Sequence, residues 1–244
     1  MATLALAVLE MYAGDLDASV GWFEAMAAVP SLTGEAHTSL ALIACYRDDL
    51  ALAREHVAVA LGSRPMAGDA SHTFARYAEG EVVARTDPER GADLLAATAA
   101  EADRVDAEQV GRVARVALLA LRVRAGRHPD AATLGSRLIG DLRRQGAWIQ
   151  AWTTVRLVAE LLADLGRWAD AAFLLSAAEL APDAPPPVGE DVARYASLRT
   201  DLDDRLGGTV TDHIRTLAAA PRSQVLGRAE RMLDEVRATG DEGP

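Results

Sequence analysis

The sequence predicts an all-α protein, a right-handed α-solenoid of about five antiparallel helix hairpins with a C-terminal helical cap. Three observations carry that expectation. Half of the residues are hydrophobic but only 5% are aromatic, and the prevailing alanine, leucine, arginine and glutamate lose little side-chain entropy in a helix. A turn followed by a small residue and an apolar helix recurs five times, at intervals of about 34 to 40 residues, the period of helix-hairpin arrays. Apolar residues flanking the turns fall at i, i+3, i+4 and i+7, which puts them on one face of a helix.

The five segments are "YAGDLDASVGWFEAM" from Tyr12, "YRDDLALAREHVAVAL" from Tyr46, "RTDPERGADLLAATA" from Arg85, "RAGRHPDAATLGSRL" from Arg124 and "DLGRWADAAFLLSAA" from Asp164. Their turns fall near Gly14, Asp48, Asp87, Gly126 and Gly166. Gly14, Gly126 and Gly166 suit the left-handed conformation that closes a helix. Asp15, Asp48, Asp87 and Asp130 are placed to cap or charge-stabilise the helix that follows. Pro88 and Pro129 fit a first turn, where the missing N–H costs nothing. A small residue four or five places later, at Ala18, Ala53, Ala92, Ala131 and Ala171, lets two helices approach closely.

The hairpins so predicted span 1–28, 35–62, 70–104, 107–145 and 148–180, giving a repeat region over 1–180. In the fourth, Val113, Val116, Ala117, Ala120 and Leu121 share a face; in the fifth, Val155, Val158, Ala159 and Leu162 do. A proline-rich break, "APDAPPPVGED", opens a second region over 181–238. Three helices are read there, in "DVARYASLRTDLDDRLGG", "TVTDHIRTLAAA" and "SQVLGRAERMLDEVRA", as a cap. Residues 239–244 read as a disordered tail.

Charge and composition exclude several function classes. The net charge of −11 argues against broad binding to nucleic-acid phosphates, which needs a basic face. All 25 basic residues are arginine, and lysine and asparagine are absent, a codon bias that points to a high-GC bacterial source. Without lysine no G-x-x-x-x-G-K-[ST] phosphate loop exists. The single cysteine, Cys45, permits no internal disulfide, fits a reducing compartment and reads as a core helix residue. The opening "MATLALAVLEMYAG" is too short, and at Glu10 too soon acidic, for a signal peptide. No run approaches the roughly 20 apolar residues of a membrane span. A cytoplasmic protein without a cofactor is expected.

Candidate chemistry is sparse. His37, His56, His72, His128 and His213 do not pair along a helix with one another or with Cys45, so no metal site is expected. The acidic pairs Glu79/Glu81 and Asp203/Asp204 sit at spacings that point apart on a helix and read as solvated surface. No G-x-S-x-G nucleophile elbow is present. Arginines on first helices are the best functional candidates: Arg112, Arg115 and Arg122 on one stripe, extended by Arg156 and Arg76 if the hairpins stack in register. Such a stripe suits an anionic peptide or nucleotide. The plainer reading is a solvated face paired with acids such as Glu108 and Glu160. Trp148, Trp152 and Trp168 read as packing between helices.

The hairpins resemble tetratricopeptide repeats, in which Gly-x-aromatic-x-x-Ala opens the second helix. Gly14-Asp15-Leu16 and Gly166-Arg167-Trp168 come closest, with Ala171 at the small position and Phe23 at the later aromatic one; Thr86-Asp87-Pro88 departs by lacking the glycine. Residues 152–207 are similar to the last repeat and cap of LuxR-type and AfsR-like signal-transduction ATPases. In that group an NTPase module precedes the repeats and a helix-turn-helix lies at one end of the chain. This chain has neither a phosphate loop nor a basic recognition helix, since the tail carries Asp234 and Glu235, so the resemblance covers the repeat region alone.

These observations together predict a non-catalytic module that binds a protein, a peptide or a small inducer. The resemblance makes it the repeat region of a multidomain transcriptional regulator, with that regulator's own upstream ATPase module as one partner. A free-standing tetratricopeptide-like adaptor is the alternative. A small-molecule enzyme in the groove is the rival of another class.

Overall fold

A computed structural model describes residues 2–63 and 69–240. Thirteen α-helices and no strand occur among the described residues: α1 (Ala2–Ala13), α2 (Leu16–Ala27), α3 (Thr33–Tyr46), α4 (Leu50–Gly62), α5 (Asp69–Ala84), α6 (Pro88–Arg104), α7 (Glu108–Arg124), α8 (His128–Gln145), α9 (Trp148–Asp164), α10 (Trp168–Leu180), α11 (Glu190–Leu206), α12 (Gly208–Ala218) and α13 (Arg222–Gly240). The protein is all-α. None of the described helices is long and apolar enough to cross a membrane.

One turn is used again and again. At Asp15, Asp49, Ala107, Arg127, Ala147 and Arg167 the backbone N–H donates to the carbonyl five residues back. The residue just before each has a positive φ: Gly14, Asp48, Asp106, Gly126, Gly146 and Gly166. This is the six-to-one closure that ties off a helix through a left-handed residue. It serves within hairpins and between them, as at Asp106 and Gly146. The third hairpin lacks it. Thr86, β-branched, is ill suited to the left-handed region, and there Thr86 and Asp87 both donate to the Val83 carbonyl.

The closure shifts some predicted roles by one residue. Asp48 is not a cap; it takes the left-handed position with φ 62°, and Asp49 accepts from the Leu52 N–H at 3.0 Å. Asp15 and Asp87 cap as expected, through Ala18 and Arg90 N–H groups. Asp130 does not cap but stands in the first turn of α8, where its charge favours the helix start as expected, and it pairs with Arg127 at 2.9 Å. The close-packing residue stands four places after the cap in every hairpin: Ser19, Ala53, Gly91, Ala131 and Ala171, all buried. Ala18 and Ala92 are only half-buried.

The chain divides into two compact units. The first comprises residues 1–118 and 186–190. In it α1 packs on α2, α3 on α4 and α5 on α6, while α3 also meets α2 and α5, and α4 meets α5. Phe23, Met26, Ala36, Leu40 and Ile43 form a core with Ala7. Because it has neighbours on several sides, α3 is buried almost all round. The short segment 186–190 is seated on this unit. The Pro186 ring lies against Gly14, Gly189 lies against the Tyr46 backbone, and Glu190 pairs with Arg85.

The second unit comprises residues 119–185 and 191–244. Here α9 packs on α8 and α10, α13 on α8, α9 and α10, and α12 on α10. The predicted apolar face of the fifth hairpin holds: Val155, Val158, Ala159 and Leu162 are fully buried. In α7 the face is rotated. Val110, Ala114, Ala117 and Leu118 are buried, and Val113, Val116, Ala120 and Leu121 are half-buried. Of the tail expected at 239–244, the first two residues belong to α13. Thr239 still belongs to α13, with its Oγ1 donating to the Glu235 and Val236 carbonyls, and residues 241–244 lie outside the described residues.

Two glycines test the close-approach rule. A Cβ at Gly91 would stand 2.5 Å from both Cα and Cβ of Ala84, whereas a Cβ at Gly21 meets nothing within 4 Å. Gly91→Ala is expected to destabilise the chain by about 1–3 kcal/mol through forced backbone separation. Gly21→Ala is expected to stabilise it by about 0.5–1 kcal/mol. Urea unfolding of the two variants beside the parent measures both.

Candidate functional site

The five candidate arginines do not share one environment. In the first unit Arg76 is half-buried on α5. On α7, Arg112 binds Glu108 at 3.3 Å and Gln109 at 2.7 Å, the i,i+4 pairing expected of a solvated face. Arg115 reaches Asp103 near the end of α6 at 2.5 Å. In the second unit Arg122 places Nη1 3.5 Å from the Asp130 carbonyl. Arg156 differs from the rest. It is only 6% exposed, and no hydrogen bond or ion pair joins its guanidinium to another described residue.

Around Glu160 and Asp191 the second unit assembles a half-buried polar cluster that the sequence reading did not find. Glu160 follows Arg156 by one turn on α9, but pairs with Arg124 of α7 at 3.9 Å and Arg194 of α11 at 3.5 Å. Asp191 accepts from Arg124 at 2.6 Å and lies 3.6 Å from Arg194 Nε. Tyr195, 7% exposed, completes the face. Its hydroxyl and the Glu160 Oε2 are both buried without a hydrogen-bond partner. Burial disfavours charge throughout. It pushes the Glu160 carboxyl and the Tyr195 phenol up and the Arg156 guanidinium down. The available signal was Asp191, Arg194 and Tyr195 at i, i+3 and i+4 on α11. Only the tertiary fold sets that stripe against α9.

The tryptophans pack, in two different ways. Trp152 is buried and donates from Nε1 to Asp183 at 2.9 Å. Trp148 and Trp168 each lie under a guanidinium, of Arg222 at 4.3 Å and Arg205 at 4.1 Å from the ring centroid. Glu81 is more than surface, because it accepts from the Tyr77 hydroxyl at 2.8 Å. Cys45 is buried in α3, and burial pushes its thiol up to about 12, which leaves it inert as a nucleophile.

Two histidines 19 residues apart meet across the second hairpin, a pairing no helical spacing reveals. His37 on α3 and His56 on α4 face each other with Nδ1 atoms 2.8 Å apart. One ring must donate and the other accept, so a doubly protonated pair cannot keep the bond. No group of three or more metal-ligating side chains forms among the described residues.

Both imidazoles titrate below the ordinary value of 6.5, lowered by burial and, for His56, also by His37. Glu55 and Glu24 act on His56 in the opposite sense. The unfolded chain therefore takes up these protons at higher pH than the folded chain. The stability they contribute is full above about pH 6.5 and is lost as pH falls through their lowered folded values. Thermal melts from about pH 7.5 to about pH 5 should show a falling Tm, with a shallower fall in His56→Gln. An equal fall in the variant would remove the pair as its cause.

No protein-family model matches this chain, and no curated protein or solved structure matches it either.

Proposed function

We propose that this chain is a non-catalytic interaction module, a tetratricopeptide-like helical array that recognises a protein, a peptide or a small ligand. The carrying observation is the repeated closure, a left-handed residue and a six-to-one bond with a buried small residue four places after each cap. A chain that repeats one packing device along its length is organised for stacking, and stacked hairpins present surface for recognition. The packing of α3 on α2 and α5, and of α4 on α5, supports a solenoid arrangement of the first hairpins. Arg76, Arg112 and Arg115 in one unit, and Arg122 and Arg156 in the other, are the proposed contact residues for an anionic partner.

The parent protein in this reading is a multidomain bacterial transcriptional regulator, whose ATPase module is one partner of the array. The likeness of residues 152–207 to the last repeat and cap of such regulators supports it. An antibody raised against this region, applied to lysate of the source cells, should detect a polypeptide much larger than 25.8 kDa. A native band at that mass would remove the regulator parentage and leave a free-standing adaptor.

A further inference from the structure

The second hairpin joins two metal-ligating side chains that no helical spacing could pair. His37 stands on α3 and His56 on α4. Their Nδ1 atoms are 2.8 Å apart, the ring centroids 5.0 Å apart, and the ring planes inclined at 47°. Two neutral imidazoles at this separation share one proton, with the lone pair of one Nδ1 aimed at the N–H of the other. Moving that proton to the far nitrogen of its own ring leaves two lone pairs facing one point. A metal ion is what accepts such a pair.

The distance selects the kind of ion. A metal stands about 2.0–2.1 Å from an imidazole nitrogen, so two such nitrogens lie about 2.9 Å apart at a right angle and about 3.3 Å apart at the tetrahedral angle. The 2.8 Å found here fits adjacent positions of a square-planar or octahedral ion, the geometry of Cu²⁺ and Ni²⁺ with nitrogen ligands. Calcium and magnesium do not suit the pair, because both take oxygen ligands.

Access and rigidity agree with this. Both rings are half-buried, so an ion can reach them and water can fill the positions they leave. His37 is carried by a helix buried almost all round, and that helix packs on α4. Ligands held on packed helices lose little freedom on binding. Burial holds both rings below their ordinary pKa, which keeps them in the neutral form that ligates metal.

We propose that His37 and His56 form a two-histidine site for a divalent transition metal, best fitted by Cu²⁺ or Ni²⁺. Each ring ligates through Nδ1. The ring that had donated carries its proton on Nε2 instead, and water completes the coordination sphere. The bound ion ties α3 to α4. This is a further property of the second hairpin, and it stands whether or not the array recognises a peptide or belongs to a regulator.

Titration calorimetry of nickel chloride into the untagged 244-residue chain tests the site. One saturable equivalent is expected, weakened about tenfold or more in His37→Gln and in His56→Gln, because each leaves one imidazole where two had chelated. The control is His128→Gln, since His128 lies 3.8 Å from Asp164 in the other unit; it should bind as the parent does. Saturating Ni²⁺ should raise the melting temperature of the parent and the control, and leave that of the other two variants unmoved. Absence of saturable binding overturns the proposal. So does binding that survives either His37→Gln or His56→Gln. If neither variant folds, electron paramagnetic resonance of the parent with one equivalent of Cu²⁺ decides the matter. Hyperfine coupling to two imidazole nitrogens is expected, and coupling to one or none overturns the site.

Discussion

The hairpins depend on how closely two backbones can come at the start of each second helix. In all but the third hairpin the six-to-one bond fixes the path of the chain through the turn, and the cap fixes where the next helix begins. Four residues on, the side chain lies against the preceding helix, and only Ser19, Ala53, Gly91, Ala131 or Ala171 is small enough to allow the approach. Gly91 is the extreme case, with the Ala84 backbone where its Cβ would be. Ser19 shows how a polar residue meets the same demand: its hydroxyl donates to the Ala7 carbonyl at 2.9 Å and leaves nothing unsatisfied.

The second unit is fastened differently, with aromatic rings and charges framing its apolar contacts. Val225, Leu226, Ala229, Met232 and Leu233 bury the inner face of α13. Around that seam Arg143 meets Glu230 at 2.8 Å, Arg167 meets Glu235 at 2.7 Å, and Arg228 lies 4.0 Å from the Phe173 ring centroid. Partly exposed pairs of this kind add little stability singly, but they fix the register in which α13 lies. Arg156 stands apart from this pattern, because every other arginine of the α9–α11 cluster has an acid within reach.

The helices, their order and the turn glycines within hairpins were legible in the sequence, since they follow from local periodicity and from the conformations only certain residues tolerate; Gly146, between two hairpins, was missed. Errors came where one residue of phase mattered. Asp48 and Asp49 are chemically alike, and only the backbone shows that the first takes the left-handed position and the second caps. The buried face of α7 was misread for a similar reason: valine, alanine and leucine also stand beside its buried stripe, so the pattern does not fix which of them meets the neighbours. The site was barely legible. His37 and His56, or Glu160 and Arg194, are joined by tertiary packing alone, and no spacing along one helix encodes a partner on another. The arginine stripe grouped Arg156 with four others, although it alone is buried, at 6% exposure.

The seating of residues 186–190 on Gly14, Tyr46 and Arg85 has a bearing on how the chain is born. The ribosome releases residues 1–118 long before the five residues that complete their unit. During that interval the turn at Gly14 and the end of α3 stand uncovered, and loop closure must then span all the residues that separate the two segments. Synthesis order and contact order are thus at odds in this protein. The covering of the hairpins of this unit waits on a proline-rich stretch made after the residues between 118 and 186.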